Sequence, residues 1–321
     1  MKKRMAVLLA AAGMLTGIFG LTGNAEEEED FTVGICQFVQ HQALDSAAQG
    51  FKDALTEALG ERVTFVEENA QGDYATCTTV VNSLVAKEVD LILANATASL
   101  QTAATATTDI PILGTSVTEY GAALQLENFD GTVGGNISGT SDLAPLAEQA
   151  AMVKELFPDA QKVGLVYCSA EPNSQYQIDV VQEELKALGY ACEAYAFSDS
   201  NDIFSVTSNA AAECNVLYVP TDNTVASNAE LIANICVPEG IPVIAGEEST
   251  CKVCGVATLS IDYYELGYLT GEMAVRILED GEEISEMPVA YAEDFTKRYN
   301  KTLCEKLGIE VPEDYVPLEE E

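Results

Sequence analysis

The chain contains no tryptophan, a single histidine and few cations. Its 15 lysines and arginines stand against 52 aspartates and glutamates, a formal net charge of −37. Each shortage excludes something. One imidazole, His41, cannot build a multi-histidine metal site, and any Ser-His or Cys-His chemistry would have to use it. A chain this acidic is repelled by phosphate backbones and anionic membranes, which argues against a nucleic-acid partner. The familiar enzyme signatures are missing too. There is no G-x-G-x-x-G after the first strand, no G-x-x-x-x-G-K-[ST], no G-x-S-x-G and no H-E-x-x-H. No catalytic residue, metal or cofactor is expected.

Long apolar runs are also scarce. The one example, Ala6 to Gly23, follows Lys2, Lys3 and Arg4 and ends in the small-x-small triplet Gly23-Asn24-Ala25. Residues 1–25 therefore read as a secretory signal peptide; the alternative is an uncleaved membrane anchor, since about 18 apolar residues just span a bilayer. No cysteine lies near the cleavage site to carry a lipid. Residues 26–30 form an acidic tail. The mature protein is expected outside the cytoplasm, in a periplasm or at the cell surface.

What is present is the material of two domains. The chain has 321 residues, 48% hydrophobic and 21% charged, the profile of a soluble globular protein. From residue 31 short Val/Ile/Leu-rich runs alternate with helical patterns. Strands are predicted at 31–38, 63–69, 90–96 and 110–117, with helices at 43–59, 74–86 and 98–107. VGGNISG (133–139) reads as a crossing segment and hinge. The pattern then restarts, with helices at 144–157, 174–188, 203–212 and 225–237 and strands at 162–168, 192–198, 216–222 and 241–247. A strand at 256–262, a helix at 264–278 and a late strand at 289–294 follow. Near-continuous apolar strands joined by helices imply parallel sheets covered on both faces. The fold class is α/β: two similar Rossmann-like lobes with parallel sheets, joined by crossing strands around a cleft. The expected division is 31–138 plus 262–287 for the first lobe and 139–261 plus 288–321 for the second.

Nine cysteines follow the leader. Most sit in apolar runs, such as Cys36 in VGICQF and Cys168 in VGLVYC, and behave there as small hydrophobes. Cys251 and Cys254 alone have motif spacing, CKVC. Two thiols make no zinc site, and a strand follows where a thioredoxin-like motif would open a helix. A local disulfide stays open as an alternative.

Ligands of such lobes meet the loops at the carboxyl ends of strands. Here these loops carry Gln37, Phe38 and His41, then Asn95 to Ser99 and Thr115 to Thr118. In the second lobe they carry Ser169 to Ser174, Asp222 to Thr224 and Glu247 to Thr250. Lys252 is the nearby cation, so the inventory suits a neutral or zwitterionic small molecule. Thr97-Ala98-Ser99 opens a helix, where free amides would take a carboxylate; Thr97 could equally be the helix cap. Asp222, directly after a strand and followed by Asn223 and Thr224, is the candidate for an ammonium group, with a capping role as its rival and Glu248 next in line. Asn95, Asn173 and Ser174 add polar contacts. His41 is either a ligand contact or a structural hydrogen-bonding group. Phe38, Tyr176 and Tyr263 are candidate aromatic walls.

The chain resembles the tryptophan/tyrosine-type substrate-binding proteins of bacterial ABC transporters, of the type I periplasmic-binding fold. The resemblance covers nearly the whole mature chain. It rests on GICQFVQHQALDSAAQGFKDAL (34–55), ENAQGD (68–73), ILANATASLQTA (92–103), DIPIL (109–113), SDLAP (141–145), YVPTDNTV (218–225) and IDYYELGYLTGEMAVRIL (261–278). It implies capture of an aromatic amino acid by a monomer whose lobes close on the ligand, and delivery to a partner permease and its ATPase. The chain departs from the family pattern at Gln42, where a proline is common after the histidine, at CKVC, and in having no lipid-anchor cysteine. A sugar or nucleoside ligand, or a sensor that docks to a receptor, is the alternative reading.

Overall fold

The computed structural model describes residues 29–292 and 294–319. The expected signal peptide and residues 26–28 of the acidic tail lie outside the described residues. In chain order the strands are β1 Phe31–Gln37, β2 Val63–Asn69, β3 Leu91–Asn95, β4 Ile112–Val117, β5 Ile137–Ser141, β6 Lys162–Cys168, β7 Ala191–Phe197, β8 Val216–Val219, β9 Val243–Ala245, β10 Ala257–Ser260, β11 Ala290–Tyr291, β12 Thr296–Tyr299 and β13 Val316–Pro317. They form two sheets, ordered β2-β1-β3-β4-β5-β11 and β7-β6-β8-β9-β10-β12-β13. Every pairing in the first is parallel. In the second only β12 runs against its neighbour β10.

Burial follows the sequence pattern strand by strand. The runs LILAN, apolar up to Asn95, and VLYV are buried at every residue. The edge strands β2 and β7 carry mixed sequences and are partly exposed. On β1, successive side chains enter different cores: Ile35 joins Phe51, Leu55 and Leu93, and Cys36 joins Val81, Leu84 and Ala94. That is the period-two geometry of a strand covered on both faces. The helix Gln42–Leu59 buries Ala43, Leu44, Ala47, Phe51, Ala54 and Leu55, a three-four spacing, and packs against the helix Tyr263–Leu278. The chain thus returns to the first lobe after building most of the second.

Several expected boundaries move. VGGNISG is not purely a crossing segment: from Ile137 it forms β5, which stays in the first sheet through Ser141. The division at 138/139 therefore cuts a strand. The division at 287/288 separates β11 from the first sheet, where it pairs with β5. The late strand is two residues long and not six. The helix expected over 225–237 is two, Asn223–Ala226 and Ala229–Glu239. The second sheet gains β12 and β13, with the helix Lys301–Leu307 between them. All nine cysteines are free, and Cys251 and Cys254 are buried at the end of the short helix Glu248–Val253.

Candidate functional site

The carboxyl ends of both sheets face one another across a cleft, and several bonds cross it. His41 Nε2 lies 3.2 Å from Asn223 Oδ1, and the Tyr74 hydroxyl donates to the Ala170 carbonyl at 3.2 Å. Between the lobes, beside the His41–Asn223 contact, is a cavity of about 10 Å³, room for about one water. His41, Leu44, Ser116 and Thr118 line it from the first lobe, Asn173, Thr221, Asp222, Asn223, Ala226 and Glu247 from the second, and Asp142 and Tyr263 from the crossing segments.

The second-lobe wall is built around carboxylates that serve as caps. Glu171 is buried and accepts from the backbone N–H and side-chain Nδ2 of Asn223, from the N–H and hydroxyl of Thr224, and from Asn173 Nδ2, at 2.7 to 3.3 Å. It thereby fixes which end of the Asn223 amide faces the cleft: Nδ2 is held, so Oδ1 points at His41. Asp222 accepts the Cys168 N–H at 2.7 Å and the Val225 N–H at 2.8 Å, one on each oxygen. Burial and then the nearby Glu171 push its carboxyl up to about 8, against the pull of those amide bonds. Glu247 caps the helix Glu248–Val253 through the N–H groups of Ser249 and Thr250. These three acids are occupied in the way that N-terminal caps are.

The first-lobe wall is strained. Ala96 caps the helix Thr97–Ala106 with φ 93° and ψ 159°, and no side chain caps that helix. Ser116 has φ 55°, at a break in the β4–β5 register. Non-glycine residues in such conformations need their surroundings to hold them, and they gather at binding sites. The first-turn amides of Thr97, Ala98 and Ser99 have no intrahelical acceptor.

Unpaired buried polar atoms are rare in folded proteins, so their positions are informative. Three converge on this one cavity: His41 Nδ1, Ser116 Oγ and Asp142 Oδ1. The other oxygen of Asp142 accepts the Tyr263 hydroxyl at 2.9 Å. Burial pushes the Asp142 carboxyl above the usual carboxylate range, the Tyr263 hydroxyl bond and the nearby Thr118 hydroxyl pull it back, and Glu247 adds repulsion.

Of the residues predicted for the site, His41, Asn173, Asp222, Asn223 and Tyr263 line the cavity. The others do not. Gln37 turns inward to Val39 O and Asp45, and Asn95 donates to Leu44 O, both within the first lobe. Phe38 is buried in the first-lobe core with its ring 5.3 Å from that of Tyr74. Thr97 is the first helical residue and not the cap, and Ser99 is buried against the thiols of Cys36 and Cys77. Ser174 accepts from Asn173, and Thr224 is held by Glu171. Tyr176 is half-buried against the second-lobe core. Glu248 points out of the cavity to Lys252 and Arg298, so Lys252 is not the sole cation nearby.

Sequence reasoning misses Ser116, Thr118, Asp142, Thr221 and Glu171 as site residues, and reaches Glu247 only as a rival acid to Asp222. All but Asp142 and Thr221 stand in strand-end loops that were recognised, where polar identity alone ranks nothing. Asp142 stands in SDLAP, directly after a strand whose first residues fall in the hinge expected at 133–139.

The comparisons agree with this architecture. The chain is 35% identical over 305 residues to the tyrosine-binding protein of Clostridioides difficile, covering 90% of this chain and 87% of the relative. A Streptococcus pneumoniae ABC domain solved in complex with L-Trp is 30% identical, with a TM-score of 0.85 over 89% of this chain and 97% of that one. The ligand-free, open structure of a substrate binding protein with adhesive properties from Clostridium difficile is more similar in sequence, 37%, and less similar in shape, TM-score 0.68 over 90% and 100% of the two chains. Among the described residues no helix is long and apolar enough to cross a membrane. A profile of the ABC transporter substrate binding protein family matches residues 32–319, and the chain belongs to that family of solute-binding, non-enzymatic, extracytoplasmic proteins.

Proposed function

We propose that this protein captures an aromatic amino acid, tyrosine or tryptophan, in the cleft between its lobes and hands it to a partner permease driven by an ATPase. The observation that carries the reading is the convergence of His41 Nδ1, Ser116 Oγ and Asp142 Oδ1, three buried and unpaired polar atoms, on one interlobe cavity. A ligand with its own donors and acceptors would satisfy all three. The relatives whose names state tyrosine binding or an L-Trp complex support the ligand class. The unpaired Ser116 hydroxyl, on the first-lobe wall, is the donor on that side for the ligand's carboxylate. In the sealed form the cavity holds about one water, so entry requires the lobes to part. This supports a hinged trap, acting as a monomer. Export by a signal peptide over residues 1–25 completes the reading.

The test is a set of melts of the mature protein with each common amino acid and a panel of sugars. A ligand at about 100 times its Kd adds about 2.7 kcal/mol, several degrees for lobes of this size. Tyrosine or tryptophan should give the largest shift. A shift with sugars alone would overturn the amino-acid reading.

A further inference from the structure

We propose that Asp142, set on the crossing segment between the lobes, holds the ammonium group of the ligand, with Tyr263 as its positioning residue. The inference rests on the amino-acid reading above and assigns to Asp142 the part that the sequence suggested for Asp222. Four buried acids surround the cleft: Asp142, Glu171, Asp222 and Glu247. Glu171, Asp222 and Glu247 each have both oxygens engaged by amides or hydroxyls of their own lobe. Asp142 differs. One oxygen accepts the Tyr263 hydroxyl, and the other is buried, unpaired and on the cavity wall. A buried carboxylate with an open lone pair and no neighbouring cation is costly unless something pairs with it. A primary ammonium brings three donors and one positive charge.

A second acceptor lies on the same wall. Glu171 holds Asn223 Nδ2, which leaves Asn223 Oδ1 to receive a proton from His41 Nε2. With that proton on Nε2, His41 Nδ1 in the neutral ring is an acceptor, and it too is unpaired. The place in the chain matters as much as the chemistry. Asp142 follows β5 directly, and Tyr263 opens the helix that returns to the first lobe. Both therefore sit where the lobes are joined, on the floor of the cleft. An ammonium docked there keeps its partner while the lobes swing.

Calorimetry on three proteins decides the matter, with L-tyrosine, L-tryptophan and the des-amino analogue 3-(4-hydroxyphenyl)propionate as probes. The wild type should prefer L-tyrosine over the analogue. Asp142→Asn keeps the shape and the Tyr263 bond and removes the charge. It should weaken both amino acids at least about 30-fold and leave the analogue's affinity unchanged or improved. Its unliganded melting temperature should not fall, because a buried unpaired charge has been removed. Tyr263→Phe should narrow the preference for L-tyrosine over the analogue in the same direction by a smaller factor, and it decides alone if Asp142→Asn does not fold. Equal losses for tyrosine and analogue, or unchanged tyrosine binding, would overturn the inference while leaving the amino-acid reading intact. A wild type that binds neither amino acid overturns that reading and this inference with it.

Discussion

At the scale of single residues the site sets affinity against stability, and Asp142 shows how. Its carboxyl is raised above the ordinary range by burial, with Glu247 as a like charge and the Tyr263 and Thr118 hydroxyls in opposition; Asp222 and His41 line the same cavity, and the buried Tyr120 is near enough to feel its charge. A carboxyl with a higher pKa folded than unfolded binds its proton more tightly in the folded state. Its contribution to stability is therefore greatest with the proton on, and declines as pH rises from the ordinary aspartate value near 3.9 through the raised folded value. Amino-acid affinity should run the other way, falling on acidification through the same window as the charge that holds the ammonium is lost. Melts of the unliganded protein and calorimetry with L-tyrosine across that window would show the two opposed slopes. In Asp142→Asn the affinity slope should flatten, and the stability slope should lose the share of Asp142 while keeping that of Asp222, whose carboxyl is raised to about 8. Parallel slopes, or slopes unchanged by the substitution, would mean that another acid governs the cleft.

At the scale of elements the pairing of helices Gln42–Leu59 and Tyr263–Leu278 ties the end of the second crossing to the first lobe. The contact is close enough to exclude a methyl group. A Cβ at Gly267 would come within 1.9 Å of the Ala47 carbonyl oxygen, and one at Gly50 within 2.1 Å of the Tyr264 carbonyl oxygen. Those neighbours are backbone and cannot rotate away, so Gly267→Ala should force the helices apart at a cost of about 1–3 kcal/mol. Urea unfolding of the variant measures it; an unchanged midpoint would mean that the pair slides freely. The sequence makes these helices legible, because three-four apolar spacing shows a buried face (Leu44, Ala47, Phe51, Leu55). It cannot show that each of two glycines meets the backbone of the opposite helix. The same limit applies at the site. Apolar strands and the polar loops at their ends can be read directly, so His41, Asp222, Asn223 and Tyr263 were reachable. Which loop residue faces the cleft depends on backbone turns such as Ala96 at φ 93°, and composition does not encode those. Ile137 to Ser141 is hidden for another reason: its glycine and small polar residues do not read as a strand, and Asp142 directly follows it.

At the scale of the whole molecule the question is what holds the lobes together. The chain matches the L-Trp complex at TM-score 0.85 and the open, ligand-free structure at 0.68, although the second is the nearer in sequence. Among the described residues, direct hydrogen bonds run in this form from one lobe to the other across the cleft. The Tyr74 hydroxyl to Ala170 O and His41 Nε2 to Asn223 Oδ1 are two of them. On the proposed reading a ligand tips the balance between open and closed forms. A bond made only in the closed state adds to ligand affinity without touching the ligand, because it lowers the energy of the state the ligand selects. Tyr74→Phe isolates that effect. It keeps the ring against Phe38 and deletes only the hydroxyl. A neutral hydrogen bond contributes about 0.5–1.5 kcal/mol, so L-tyrosine affinity should fall by roughly 2- to 12-fold while the unliganded melting temperature stays in place. Small-angle scattering should show the wild type shrinking when L-tyrosine is added and the variant needing more ligand to reach the same radius. Unchanged affinity with an unchanged scattering titration would mean that the Tyr74 bond also exists in the free form, and that His41 and the ligand carry closure between them.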